Sequence, residues 1–130
     1  MKKSFKAILI ILALAIATFA SIGCRKPETP IYTDPAKVIS AKVNGEFIIA
    51  LDSNPTTGYS WEERHDDTFL NLVNVDYKGS EAQGKLGTGG VQYFWFKAIK
   101  AGETQIVFNY MRPWESFPPK DTKTFTVKIQ

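Results

Sequence analysis

The chain has one cysteine, one histidine and no run of basic residues, and each scarcity excludes a class of protein. Cys24 has no second cysteine with which to form an intramolecular disulfide or a thiolate metal site, so the fold must be stable without either. His65, the only histidine, stands among charged residues in a predicted turn, where we expect a solvated surface side chain. The adjacent Glu62 and Glu63 point to opposite faces of a strand and cannot act as a pair. These patterns argue against an enzyme and predict no metal site and no cofactor.

The only long apolar run lies near the N-terminus, over residues 7–20, behind a basic start. The run is too short for a membrane span, which needs about 20 apolar residues. A basic start, a short apolar stretch and small residues are instead typical of an export signal. We therefore predict a signal peptide over residues 1–23.

Cys24 follows this run directly, in an arrangement that resembles the lipobox of bacterial lipoproteins, although Ser21 stands where Leu is usual. The resemblance implies that Cys24 is lipidated and becomes the mature N-terminus, and that the exported domain is anchored to the cell membrane or outer membrane. Residues 24–35, which include three prolines, then form a semi-extended linker. The alternative is ordinary cleavage after Ala20 or Gly23, with the cysteine left as an unused thiol.

Removal of the signal peptide changes the charge of the protein. Of the 16 basic residues, Lys2, Lys3 and Lys6 lie in the signal, so the remainder carries 13 basic residues against 13 acidic ones and has no net charge. No cluster of basic residues is left that could bind a phosphate backbone. We therefore predict no nucleic-acid partner.

The remaining residues, 36–130, alternate apolar and polar side chains in short stretches separated by turn residues, which predicts strands. The predicted strands cover residues 38–43, 46–51, 60–64, 69–77, 91–98, 104–111 and 122–129. Asn44-Gly45 is a strong signal for a two-residue hairpin between the first two strands. With no amphipathic helix of useful length, the pattern predicts an all-β, immunoglobulin-like β-sandwich of about seven strands, with a barrel as the alternative. We expect a monomer.

The loop after the second predicted strand reads Asn54-Pro55-Thr56-Thr57-Gly58-Tyr59-Ser60-Trp61. Pro55 fixes its own φ angle and extends the residue before it, and Gly58 permits a backbone conformation that a Cβ would oppose. Tyr59 and Trp61 are large enough to fix the loop base in a core. These features predict a stiff, narrow, uncharged loop that could fill a slot with little loss of conformational entropy. An ordinary turn between two strands is the alternative.

Two further loops are unusual. Leu86-Gly87-Thr88-Gly89-Gly90 has three glycines in its last four residues, which allows close backbone approach, but no helix or lysine follows as a phosphate site requires. Arg112-Pro113-Trp114 places two residue types that are enriched at interface hot spots in a stretch too polar for a core. The alternatives are a flexible hairpin connection and a tryptophan that folds back over the sandwich end.

Together the three loops resemble the chagasin family of cysteine protease inhibitors, through the patterns NPTTGY-x-W at residues 54–61, G-x-G-G at 87–90 and RPW at 112–114. The resemblance covers about the last 90 residues, in the expected order and spacing. It implies a sandwich whose three loops form a wedge that enters the slit of papain-like proteases, as a reversible, tight-binding inhibitor.

The resemblance also implies a place for each loop. Asn54 to Tyr59 would lie over the catalytic cysteine and histidine of the enzyme. Leu86 to Gly90 would lie along the unprimed side, with Leu86 near the main specificity pocket. Arg112 to Trp114 would cover the primed side, with Trp114 on an enzyme aromatic ring. The alternative function is a surface adhesion or carbohydrate-binding sandwich, because aromatic side chains such as Tyr93 and Trp114 can stack on sugars.

Overall fold

The computed structural model describes residues 23–79 and 89–130. Within them, two four-stranded sheets have the orders β1-β3-β6-β5 and β2-β8-β7-β4. The strands are β1 (Ile31–Tyr32), β2 (Ile39–Ala41), β3 (Glu46–Ser53), β4 (Ser60–Arg64), β5 (Leu70–Gly79), β6 (Gly90–Ala98), β7 (Gly102–Met111) and β8 (Asp121–Ile129). A single 3₁₀ turn, Pro55–Thr57, lies between β3 and β4. The predicted all-β, immunoglobulin-like sandwich is confirmed.

The core lies between the two sheets and is built mainly by alternate residues of the longer strands, as the apolar pattern predicts, although β3 buries all of Phe47 to Leu51. Its largest fully buried side chains are Phe47, Phe94, Phe96, Phe108, Phe125, Ile39, Ile49, Leu70, Ile106 and Val127. The rings of Phe94 and Phe108, one from each sheet, meet edge to face with centroids 4.8 Å apart. Since each such side chain contributes about 1.5–3 kcal/mol when buried, this interface supplies most of the driving force for folding.

The predicted hairpin at Asn44-Gly45 is wrong, because the strands on either side of it belong to different sheets. β2 pairs in parallel with β8, and β3 pairs with β6. A turn does form at these residues, as expected, and Asn44 has φ 67°. However, Asn44 N donates to Ala98 O in one sheet, and Val43 N donates to Gln130 O in the other. These distant partners carry the chain across the sandwich.

The segment predicted as a linker contributes β1 to the first sheet. Ile31 and Tyr32 pair in parallel with Ile48 and Ile49 of β3. The Tyr32 ring contacts Phe47 edge-on, with centroids 6.3 Å apart. The sheet therefore begins before residue 36. Within the described ranges, no helix is long and apolar enough to cross a membrane.

β5 is the edge strand on the opposite side of the sheet from β1. In this strand, some apolar side chains are exposed instead of buried. Leu70 is fully buried, whereas Val73 and Val75 are 52% and 44% exposed. The pairing of β5 with β6 shifts between Leu72 and Asn74, which marks a bulge. The far half of β5 thus runs along the rim of the sandwich.

Candidate functional site

The strand pairing brings the predicted loops to one end of the sandwich. β3 ends at Ser53, which pairs with Gly90 at the start of β6. β4 begins at Ser60, which pairs with Met111 at the end of β7. The first loop, Asn54–Tyr59, therefore lies between Gly89-Gly90 and the third loop, which begins at Arg112. Leu86, Gly87 and Thr88 lie outside the described residues.

The first loop is a tight turn closed by its own hydrogen bonds. Gly58 N donates to Pro55 O at 2.9 Å and Thr57 N donates to Asn54 O at 3.2 Å. The two threonine hydroxyls are also used internally: Thr56 Oγ1 donates to Asn54 Oδ1 at 2.5 Å and Thr57 Oγ1 donates to Asn54 O at 2.7 Å. Gly58 has φ 82°, in the left-handed region that favours glycine. The exposed part of the loop is thus narrow and uncharged, as predicted.

Arg112 joins the third loop to the first. Its Nε donates to Thr57 O at 2.9 Å, and its Nη1 donates to Glu115 Oε1 at 2.9 Å. The guanidinium also lies over the Tyr59 ring, 4.5 Å from its centroid. The hydrogen bond from Arg112 to Glu115 raises the pKa of the guanidinium above its usual value. Three separate contacts therefore hold this side chain within the domain.

Trp114 stands at the tip of the third loop and is 72% exposed. One edge of its indole lies against Gly58, where a Cβ would stand 2.6 Å from Trp114 Cη2. The indole thus packs on the first loop at the sandwich end, as the alternative interpretation describes, but it stays largely exposed and is not part of the core. The indole instead extends the surface of the first loop.

The glycines at the start of β6 sit where backbones crowd together. Gly89 has φ 79°, and a Cβ there would stand 3.1 Å from Ser53 O and 3.4 Å from Asn54 Cβ. A Cβ on Gly90 would collide with the backbone oxygen of Lys78. Among the described residues, these glycines therefore allow neighbouring segments of the same chain to approach their backbone closely.

An aromatic stack forms the base of the site. Tyr110 lies between Tyr59 and Trp61, with ring centroids 5.3 and 4.8 Å away. Its hydroxyl accepts a hydrogen bond from Asn54 N at 2.9 Å. The Lys120 ammonium lies 4.8 Å from the centroid of the Tyr59 ring. The sequence predicted that Tyr59 and Trp61 fix the loop base, but not that Tyr110 joins them.

Gln92 is a second residue that the sequence analysis missed. Its Oε1 accepts from Trp61 N at 3.0 Å, and its Nε2 donates to Trp61 O at 3.1 Å. This pair of bonds connects β6 of one sheet to β4 of the other beside the loops. The sequence did contain a signal for this role. Gln92 is a polar residue on the same face of its strand as Phe94 and Phe96, which point into the core.

His65 is not the solvated residue that its neighbours predicted. Its side chain is 10% exposed, and its ring meets Phe96 edge-on at 5.4 Å. Nδ1 lies 2.6 Å from Glu63 Oε2 and Nε2 lies 2.9 Å from Asp67 Oδ1. The cluster lies at the far end of β4 from the loops. In the part of the chain that the structure describes, no group of three or more such side chains could hold a metal ion.

Comparison with known proteins gives matches that cover most of the chain. Residues 40–129 match the family described as "Chagasin family peptidase inhibitor I42". Amoebiasin-1 of Entamoeba histolytica is 40% identical over 83 residues, which are 62% of this chain and 76% of that protein. Chagasin of Trypanosoma cruzi is 32% identical over 93 residues, which are 66% of this chain and 82% of that protein.

Two solved structures share the fold over nearly their whole length. The crystal structure of the cysteine protease inhibitor EhICP2 from Entamoeba histolytica has a TM-score of 0.67 and 27% identity, and the match covers 80% of this chain and 99% of that one. The solution structure of Amebosin has a TM-score of 0.66 and 30% identity, and the match covers 80% of this chain and 100% of that one.

Proposed function

Because this chain belongs to the chagasin family of peptidase inhibitors, we propose that it blocks the active-site slit of papain-like cysteine proteases with three loops, reversibly and tightly. It is an inhibitor of cysteine proteases and not an enzyme. The observation that carries the proposal is the exposed, uncharged turn Pro55–Thr57, held between Gly89 on one side and Arg112 on the other.

The turn suits a narrow slit for two physical reasons. Its hydroxyl groups already donate to Asn54, so fewer hydrogen bonds to water are lost when Thr56 and Thr57 leave solvent. Its backbone is a 3₁₀ turn and not an extended strand, so it does not present a peptide bond in the form that a protease cleaves. Inhibition of this kind needs shape and no reactive group.

The flanking loops supply the remaining contacts in this proposal. Arg112, Pro113 and Trp114 cover the primed side, with the exposed indole as the main contact. Leu86 to Gly90 lie along the unprimed side, where glycines allow backbone hydrogen bonding. Contacts made by backbone tolerate many enzyme sequences, so we propose broad inhibition across the papain-like class.

Titration of papain tests this function. Enzyme activity should fall linearly and reach zero near one molar equivalent of the domain, and it should return after dilution with the inhibitor intact by mass spectrometry. Papain that keeps its activity would favour the adhesion or carbohydrate-binding alternative. Cleavage between Asn54 and Tyr59 in step with lost inhibition would indicate substrate-like binding instead.

We further propose that the protein is exported and lipid-anchored through Cys24, and that it acts as a monomer. The apolar run before Cys24 supports this, and the cysteine is exposed. Fractionation of cells that express the Cys24→Ala variant tests the anchor: the variant should leave the membrane fraction and no longer incorporate labelled fatty acid. Light scattering of the purified domain, alone and with papain, tests the monomer and a one-to-one complex.

The strand pairing supports an orientation for the anchored domain. β1 runs parallel to β3, so residues 23–30 lie at the end of the sandwich where β3 begins. The three loops lie at the opposite end, where β3 finishes. The eight residues of β3 separate these ends by about 26 Å. The loops would therefore face away from the membrane, and anchored vesicles should inhibit added papain as well as the free domain does.

A further inference from the structure

Two residues, one in the last part of β7 and one directly after it, contact the first loop on either side of its turn. Tyr110 Oη accepts from Asn54 N at 2.9 Å, and Arg112 Nε donates to Thr57 O at 2.9 Å. Resting on the proposed function, we propose that Tyr110 and Arg112 are positioning residues, which fix the turn Asn54–Gly58 in the shape that inhibits. In this role Arg112 acts through its contacts within the chain, in addition to its place beside Trp114 in the third loop.

The turn has its own hydrogen bonds, but these alone do not fix how it sits on the sandwich. A 3₁₀ segment of three residues closes only a few backbone hydrogen bonds, and such short segments are marginal alone. Asn54, which precedes it, has φ −127° and ψ 84° and makes no side-chain cap to the turn's backbone. No residue of the turn is buried. Contacts from outside the loop therefore add to the internal hydrogen bonds in holding its shape and position.

Tyr110 provides a fixed acceptor at the beginning of the turn. Its ring is held between Tyr59 and Trp61, so the hydroxyl has little freedom to move. The bond to Asn54 N is partly buried. Its loss would leave a backbone donor without this partner at the point where the chain leaves β3.

Arg112 provides the matching restraint at the end of the turn. Its planar guanidinium donates to Thr57 O and to Glu115 Oε1 while it covers the face of Tyr59. A lysine keeps the charge but cannot reproduce this planar fork. The same residue also shapes the third loop, because its Nη1 donates to Glu115 Oε1 and its backbone oxygen accepts from Glu115 N at 3.0 Å, with Trp114 between the two residues in the sequence. Arg112 therefore helps to fix the position of the Trp114 indole relative to the first loop.

The positioning role is tested in the free inhibitor and in the complex. Tyr110→Phe removes one hydroxyl, and Arg112→Lys removes the fork but keeps the charge. Tyr93→Phe and Arg25→Lys are matched controls away from the turn. For each variant, amide hydrogen exchange at Thr57 and Gly58 is measured by NMR without enzyme, and the dissociation constant for papain is measured with its on- and off-rates.

We expect exchange at Thr57 and Gly58 in the two test variants to be about tenfold faster, with papain bound about tenfold more weakly, as for the loss of one hydrogen bond. The control variants should match the wild type. If Arg112→Lys does not fold, Glu115→Gln weakens the same clamp and should shift both readouts in the same direction.

Weaker binding with unchanged exchange at Thr57 and Gly58 would overturn the proposal, because it would make the two residues direct protease contacts. Unchanged binding and unchanged exchange would overturn it as well. If the wild type does not inhibit papain but the variants exchange faster, then the residues do position the turn and the proposed function is the part that fails.

Discussion

The indole of Trp114 rests on the backbone of Gly58, so closely that a Cβ on Gly58 would stand 2.6 Å from Trp114 Cη2. Gly58 also has φ 82°, which strains any residue with a side chain. The first and third loops therefore meet at a position where glycine is needed for two reasons, one in the backbone and one in the space above it.

We expect Gly58→Ala to weaken papain inhibition strongly. The left-handed backbone alone costs about 1–2 kcal/mol for a residue with a Cβ, and the methyl group must also displace the indole. Inhibition constants and thermal unfolding measure the two effects. In a Trp114→Ala background the clash is absent, so the same substitution should cost less there; an equal cost in both backgrounds would mean that the indole does not rest on Gly58 in solution.

Trp114→Ala should weaken binding by about 2 kcal/mol, or roughly thirtyfold, if the exposed indole is a main contact. Most of the change should appear in the off-rate, which surface plasmon resonance measures. The domain should remain folded, because the side chain is 72% exposed. A variant that unfolds, while its folded fraction inhibits normally, would show that Trp114 serves the fold and not the interface.

Replacing Thr56 and Thr57 together with tryptophan should abolish inhibition, since the widened turn could not enter a narrow slit. The double replacement with serine is the matched control, because it keeps both hydroxyls that donate to Asn54. Papain titration compares the two. Stoichiometric inhibition by the tryptophan variant would show that the turn does not enter the slit.

The sequence predicted the strands well because their signal is local. In β8, Phe125, Val127 and Ile129 alternate with polar residues, and all three are buried. The turn chemistry of Asn54–Gly58 was also local, and the structure has the tight turn that it indicates. Period-two burial and turn preferences act over a few residues, so they can be found without knowledge of the fold.

Long-range relationships could not be predicted in the same way. Asn44-Gly45 has the local chemistry of a hairpin turn, but the strands on either side of it, β2 and β3, pair with β8 and β6 and so belong to different sheets. Tyr110 reaches Asn54 across 56 positions, and Arg112 reaches Thr57 across 55. Such contacts exist only after the strands have paired, which is why the sequence predicted neither of them.

His65 offers a way to weaken the fold without touching the loops. His65→Ala removes a ring that packs on Phe96 and leaves Glu63, which is 15% exposed, without its partner. We expect a loss of about 2 kcal/mol in unfolding free energy, measured in urea. Inhibition by the folded protein should not change, because His65 lies at the other end of β4. A loss of inhibition well below the unfolding midpoint would show that the two ends are coupled.

Asp66 should make the folded domain less stable as the pH falls into the acidic range. Its carboxylate accepts from Thr68 N at 2.9 Å. That backbone bond is the main reason that the pKa of Asp66 lies below its ordinary value of 3.8, with help from the Thr68 hydroxyl and the Lys100 charge. A pKa that is lower in the folded state means that the folded state favours the charged form. The stabilisation is therefore complete well above pH 3.8 and is lost as the pH falls through the lowered value.

Asp66→Asn separates the charge of this side chain from its capacity to accept a hydrogen bond, because the amide keeps one acceptor oxygen. We expect the variant to melt at a lower temperature than the wild type at pH 7. The gap should stay constant down to about pH 5 and close as the pH falls below about 4, where the wild-type carboxylate in the unfolded chain is protonated. Thermal melts followed by circular dichroism across this range measure the gap. A gap that persists or widens at pH 3 would mean that the charge on Asp66 does not stabilise the turn before β5.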